Sequence, residues 1–314
     1  MKNKFCLVFL LTILSSSIFL YTGCGSGSDS GEKSSPDSGL PGITMTIKSD
    51  YVKFEMKGSG NYTIDWGDGQ GEKPGSFDNT GGEASPFKRY SNATNRTIRI
   101  VGDNITYFEC KDNQLESLDV SGLTTLVELN CGSNKLESLN VSGCTALQSL
   151  YCNDNQLESL NVSGLIALDE LVCKDNKLEL LDVSGLTTLV VLECVNNKLE
   201  SLNVSGCTTL WWLDCSRNHL ESLNVSGLTE LSLLYCTNNQ LKFLDVSGCT
   251  LLWYLVIKDN NMSVFALNDL FGQLPYRISF PIYDYGLLWI QGNPGEGSCT
   301  EAIATAKGWY VDIF

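Results

Sequence analysis

One histidine in 314 residues leaves little material for acid–base chemistry. General-base work needs a partnered side chain with a tuned pKa inside a pocket, and Ser-His-Asp or Cys-His constellations lack their parts here. His219 stands at a position that Lys and Gln fill elsewhere in the chain, which marks a surface turn. A glycine-rich phosphate loop is missing. The chain has 13 cysteines, yet no two form a Cys-x-x-Cys pair, one of the spacings that mark metal and redox sites. Positive charge is scarce: 21 Lys and Arg face 36 Asp and Glu, for a net charge of −15. Nucleic-acid binding needs a basic footprint, so that class is excluded. We expect no enzyme, no cofactor and no metal.

What is present is repetition. From Leu115 to Asn261 one phrase of 21 residues occurs seven times, as in LELLDVSGLTTLVVLECVNNK. Leucines recur at 115, 136, 157, 178, 199, 220 and 241, and Met262 falls on the next beat. Cysteines recur at 110, 131, 152, 173, 194, 215 and 236, followed by Ile257; asparagines recur from Asn113 to Asn260. A fixed period of this size marks a solenoid, in which each unit buries its apolar side only against its neighbours.

Within a turn, Leu129-x-Cys131 alternates with period two, as a strand with one buried face does. Stacked turns would pair these strands into a parallel concave sheet. Asn134 and its equivalents turn the chain; buried there, they must bond backbone groups that the stacking supplies. Leu136-x-x-Leu139-x-Val141 forms the return, and Ser-Gly follows, where glycine permits a tight corner. Helical spacing is absent, so the convex side should be extended or irregular.

Leu126-x-x-Leu129-x-Cys131-x-x-Asn134-x-Leu136 matches the leucine-rich repeat, with Cys131 in place of the third leucine. On these residues the chain resembles bacterial leucine-rich-repeat surface proteins, with internalins as distant relatives. The resemblance implies a protein partner from a host or neighbouring cell. Internalins differ in repeat length and place their immunoglobulin-like module after the repeats, so invasion is not carried over.

Five segments follow from composition. Residues 1–23 carry Lys2 and Lys4 and then an apolar run, the pattern of a signal peptide. Thr22-Gly23-Cys24 resembles the lipobox of bacterial lipoproteins, which implies lipidation of Cys24, although Tyr21 replaces the usual leucine. A plain signal peptide is the alternative reading, and a single transmembrane anchor a weaker one. Residues 24–41 are a Gly/Ser-rich tether behind that cysteine. Residues 42–104 alternate apolar and polar residues between turns, as antiparallel strands do, and give a small β-sandwich-like module. Its Trp66-Gly67-Asp68-Gly69 resembles the PKD-domain signature in shortened form. Asp65 and Asp68 are read as turn residues, with calcium ligation the sharper alternative. Residues 105–261 are the repeats. Residues 262–314 break the rhythm and form a C-terminal cap, with short helices around FALNDLFGQLP and TEAIATAKGW, one restored turn at Leu288–Asn293, and an edge strand from Tyr310. The expected fold is therefore a mostly-β leucine-rich-repeat solenoid preceded by the β module.

Repeating columns account for most reactive-looking residues. Seven cysteines take the place of an inward leucine, and Cys144, Cys207 and Cys249 share a column with leucines. Such positions are core sites, where free cysteine acts as a small hydrophobe; Cys299 alone in the folded part lacks this explanation. Asn140, Asn161, Asn203 and Asn224 stand in Asn-Val-Ser glycosylation sequons, but Asp119, Asp182 and Asp245 share their column, so an Asx contact to the next turn is the expectation. The glutamate column from Glu116 to Glu221 is read as a solvated face relieved by Lys135, Lys177 and Lys198, with cation binding as the alternative.

The residues flanking the inward leucine vary most. Carboxylates gather toward the N-terminal turns and aromatics toward the C-terminal ones. We single out Tyr151, Glu170, Glu193, Trp212, Asp214, Tyr235, Tyr254 and Trp289 as candidate ligand-binding residues, with Trp211 and Trp253 where the strands begin. Trp and Tyr dominate interaction hot spots, although cross-strand packing also favours aromatics. The reading is a lipid-anchored envelope protein, facing the surface or the periplasm, that binds a protein through this face. A glycan ligand is the alternative, and a rigid spacer a third. Oligomeric state is left open, and membrane contact is expected only through the lipid.

Overall fold

The computed structural model describes residues 41–77, 82–277 and 285–312. The expected signal peptide, Cys24 and all of the expected tether but Pro41 lie outside them. The described residues belong to one compact unit.

Each turn contributes one three-residue strand to a parallel sheet. Glu128–Asn130, Ser149–Tyr151, Glu170–Val172, Val191–Glu193, Trp212–Asp214, Leu233–Tyr235 and Tyr254–Val256 pair in sequence, in register. Leu129, Leu150, Leu171, Leu192, Leu213, Leu234 and Leu255 share one column and are fully buried. The return side holds shorter ladders, Leu180–Asp182 with Ser201–Asn203 and Ser222–Asn224 with Phe243–Asp245. The convex side is extended, without α-helix in the repeats. This is the leucine-rich-repeat solenoid.

Asparagine holds successive turns together. The Asn134 Nδ2 donates to the carbonyls of Cys131 and Gly132 in its own turn and to Cys110 in the preceding one, at 3.0–3.1 Å. Its Oδ1 accepts from the backbone N–H groups of Asn113 and Leu115. An amide offers two donors and an acceptor, so this position satisfies groups that would otherwise be orphaned in the core. The residue before the ladder asparagine lies in the left-handed region at every turn, from Asp112 to Asp259, with φ of 53–58°. Asp and Asn tolerate that conformation. Gly143, in the Ser-Gly corner, has φ 79°, and a Cβ there would lie 3.1 Å from Gly122 Cα.

The N-terminal strands share the solenoid's sheet. Strand Arg96–Glu109 pairs antiparallel with Ile43–Ile47 along residues 96–100 and with Glu55–Asp65 along residues 99–109. Its last three residues pair parallel with Glu128–Asn130. It thus crosses the 104/105 boundary expected from composition. Ile43–Ile47 also pairs with Leu115–Asp119 on the return side, so one strand bridges both walls at the solenoid's open end. Ile43, Met45 and Ile47 are fully buried there. Tyr51–Lys53 and Phe87–Arg89 form a separate antiparallel ribbon, and Phe54 packs on Trp66 and Phe108.

At the other end Ser263 caps helix Val264–Gln273 by accepting from Ala266 N–H. Strand Gly286–Trp289 resumes the parallel sheet, and Asn293 resumes the ladder by donating to Ile257 and Ile290 carbonyls. A four-residue helix, Ala302–Thr305, leads to the edge strand Trp309–Asp312.

Candidate functional site

Backbone register builds two outward columns on the concave sheet. One runs Tyr107, Glu128, Ser149, Glu170, Val191, Trp212, Leu233, Tyr254, Leu287 and Tyr310. The other runs Glu109, Asn130, Tyr151, Val172, Glu193, Asp214, Tyr235, Val256, Trp289 and Asp312. The columns include no lysine and no arginine.

Aromatic rings cross from one column to the other. Trp212 meets Tyr235 at 6.4 Å, Tyr235 meets Tyr254 at 5.1 Å, and Tyr254 meets Trp289 at 4.6 Å, all tilted by 39–47°. Each contact joins diagonal positions on adjacent strands, which large side chains can span. Trp253 packs edge-on against Tyr254 at 5.6 Å. Trp211 is half-buried beside Trp212 but outside this chain of rings. The Trp212 indole N–H is buried without an acceptor, a state that costs about 1–3 kcal/mol.

Carboxylates populate the other half. The Tyr151 hydroxyl donates to Glu170 Oε2 at 2.6 Å. Lys174 reaches in from outside the columns to pair with Glu193 at 3.2 Å, and Lys111 pairs with Glu109 at 3.1 Å. Asp214 accepts from the Ser216 N–H. Burial lifts the carboxyls of Glu128, Glu170 and Asp214 above the usual carboxylate range. Burial is also the main cause of the raised Tyr107 and Tyr151 hydroxyls, reinforced by neighbouring glutamates. The face therefore divides into a partly desolvated acidic half and a ring-packed apolar half.

Tyr310 escaped the sequence reading as a member of this face. It is 58% exposed and pairs in register with Leu287, extending the aromatic half by one strand. The irregular stretch before Trp309 removes the repeat beat, so only strand pairing identifies it.

Other candidates settle into structural roles. The seven ladder cysteines are fully buried and free. Burial pushes Cys131 and Cys173 up to about 12, which holds them as thiols. Cys144, Cys207 and Cys249 donate to the carbonyls of Val120, Val183 and Val225. Cys299 is half-buried and donates to Glu296 O. His219 is exposed.

Two expectations need correction. The Asn/Asp column does not reach the next turn: Asn140 Oδ1 accepts from Ser142 N–H and Asp182 Oδ1 from Ser184 N–H, Asx turns within one repeat. A two-residue reach is the shorter closure. Nor do Lys135 and Lys177 pair with the glutamate column; they donate to Gln114 and Gln156 of the preceding turn. The column's ion pair is Glu221–Lys242, at 2.8 Å.

In the N-terminal strands, Asp65 and Asp68 serve the turn. They accept from Gly67 and Gln70 N–H groups, and Asp68 pairs with Lys88 at 2.6 Å. Gly67 is required there, since its φ is 66° and a Cβ would lie 2.4 Å from Thr97 O.

No family model matches the chain, and no curated protein does. Among solved structures it is similar to the leucine-rich effector protein YopM of Yersinia pestis, at 23% identity and a TM-score of 0.47 over 60% of this chain and 49% of that one. It is similar to the functional domain of InlJ from Listeria monocytogenes, described as including a cysteine ladder, at 25% identity and a TM-score of 0.31 over 59% and 50%. A leucine-rich-repeat protein of Leptospira interrogans shares 22% identity at a TM-score of 0.30 over 55% and 56%. The chain spans about half the length of these structures.

Proposed function

We propose that this is an envelope-anchored binding protein that recognises a protein partner through the concave face of its repeats. The observation that carries the reading is the contrast between scaffold and face. The inward leucines, cysteines and asparagines repeat with almost no change, while the outward columns change residue type from turn to turn. Folding explains the constant positions. It does not require a run of rings followed by Tyr310 at 58% exposure. Exposed aromatic patches mark interaction sites.

Anchoring at Cys24, reached through a signal peptide and a Gly/Ser tether, rests on the sequence alone. Labelling cells with a radioactive fatty acid tests it: label retained in Cys24→Ala would refute lipidation. Protease shaving of intact cells then separates surface from periplasmic exposure.

The binding face is tested by a photo-crosslinker placed at Leu233 in the outward column. Formation of one defined protein adduct, abolished in Trp212→Ala/Tyr254→Ala and retained in the control Ile166→Ala, is the expected result. Adducts that persist in the double variant would overturn the reading. Signal on a glycan array without a protein adduct would move the assignment to a sugar ligand, and silence in both would favour a spacer.

A further inference from the structure

The proposed binding face carries information about its occupant, and the argument here rests on that reading. The repeats from Ile105 to Asn261 contain twenty Asp and Glu against eight Lys and Arg. The outward columns sharpen this bias, since they offer carboxylates and rings and no cation at all. Glu109 and Glu193 are already matched by Lys111 and Lys174. Glu128, Glu170 and Asp214 are half-buried, and among the described residues none of the three has an ion-pair partner. Like charges gathered on a partly desolvated surface are costly, and a cation supplied by a partner relieves that cost.

Their placement is regular. Glu128, Glu170 and Asp214 lie on alternate strands of the sheet. With strands about 4.8 Å apart, alternate strands are roughly 10 Å apart, which is the rise of about three residues of a polyproline-II segment, whose three-residue turn also returns every third side chain to the same side. The ring run begins at Trp212, on the same strand as Asp214, and passes through Tyr235 and Tyr254 to Trp289, with Tyr310 on the next strand. Charge and apolar surface therefore succeed one another across the strands, the carboxylates passing from one outward column at Glu128 and Glu170 to the other at Asp214.

We propose that the concave face binds a polyproline-II-like segment of a partner protein in which Lys or Arg recurs at every third residue opposite Glu128, Glu170 and Asp214, followed by an apolar stretch on the Trp212–Trp289 rings and Tyr310. An acidic partner surface would be repelled by these carboxylates. Arginine suits these positions, because its guanidinium forks onto a carboxylate and its plane stacks on rings such as Trp212.

The test uses the full chain and fluorescein-labelled synthetic peptides, with binding followed by fluorescence polarisation. One peptide has three arginines at every third position followed by leucines; a second has the reverse order; a third has the same composition scrambled. The expected result is that one spaced peptide binds about ten-fold or more tighter than the scramble, and weakens as salt is raised. In Glu128→Gln/Glu170→Gln/Asp214→Asn the advantage should disappear. These isosteric changes keep the fold intact, which far-ultraviolet circular dichroism checks.

Equal binding of spaced and scrambled peptides, or binding unaffected by the triple substitution, would overturn the proposal. So would the absence of binding by every peptide. In each of those cases a Leu233 adduct still lost in Trp212→Ala/Tyr254→Ala would leave the binding face standing. An adduct indifferent to that double variant would remove the face itself.

Discussion

Tyr254 lies against Trp289 with ring centroids 4.6 Å apart at 40°, although the whole of helix Val264–Gln273 separates them in the chain. The cap thus completes an aromatic surface that the repeats begin. Aromatic pairs contribute about 0.5–1.5 kcal/mol beyond the area they bury. A double-mutant cycle of Tyr254→Ala and Trp289→Ala in urea should show coupling of about 1 kcal/mol. Additive effects would mean that the cap strand and the last repeat are energetically independent at this contact.

The asparagine ladder should be costly to interrupt. Asn197 donates to Cys173 O and Cys194 O at 3.1 Å and accepts from Leu178 N–H at 3.0 Å. Asn197→Ala strands these buried groups, at about 1–3 kcal/mol each when left unsatisfied. We expect a loss of about 3 kcal/mol or more in chemical denaturation. Asn176, which is less buried, should cost less.

Arg217 occupies the left-handed position, at φ 57°, that Asp or Asn fills in most turns. That conformation costs a residue with a Cβ about 1–2 kcal/mol, which glycine avoids at a smaller entropic cost. Arg217→Gly should raise the melting temperature, with a net gain of up to about 1 kcal/mol. A lowered melting temperature would show that the Arg217 side chain supplies more than the backbone loses.

Thiol chemistry should single out the cap. The ladder thiols are fully buried and raised by that burial, whereas Cys299 is half-buried. Thiolate and access together set reactivity. Iodoacetamide on the native protein should label the Cys299 peptide first and leave Cys131 through Cys236 intact until unfolding. Early labelling of a ladder cysteine would reveal local opening of its turn.

Stability should rise as pH falls from neutrality toward the ordinary carboxylate range. Burial raises Glu128, Glu170, Asp169 and Asp214. In the window between their ordinary and raised values the folded state binds more protons than the unfolded chain, so stability decreases as pH increases through it. Below that window the groups are neutral in both states, and the carboxylates that ion pairing or hydrogen bonding lowers, Asp68, Asp182 and Glu221, begin to reverse the trend. Thermal melts across this range should flatten in Glu128→Gln/Glu170→Gln/Asp214→Asn.

The repeats were legible because one phrase recurs. A single turn is ambiguous, but seven copies with leucine, cysteine and asparagine in phase leave one way to stack. The columns read from that phase coincide with the register of the strands from Tyr107 to Trp289. Reading failed where partners are chosen by side-chain reach. Lys135 selects Gln114 over a glutamate, and Asn140 bonds its own turn. Long, exposed side chains have several neighbours at similar cost, and sequence phase does not rank them.

By itself the sequence determined the solenoid, its buried leucine, cysteine and asparagine columns, and which residues alternate onto the concave face. Those properties follow from local periodicity and from the need to bury one side of every turn. Only the tertiary structure decided how the stack ends. Ile43–Ile47 bridges both walls at one end, and Trp309–Asp312 brings Tyr310 onto the face at the other. Terminal turns lack a neighbour, so their open faces are closed by non-repeating segments, and pairing between those segments is set by long-range packing that no period records.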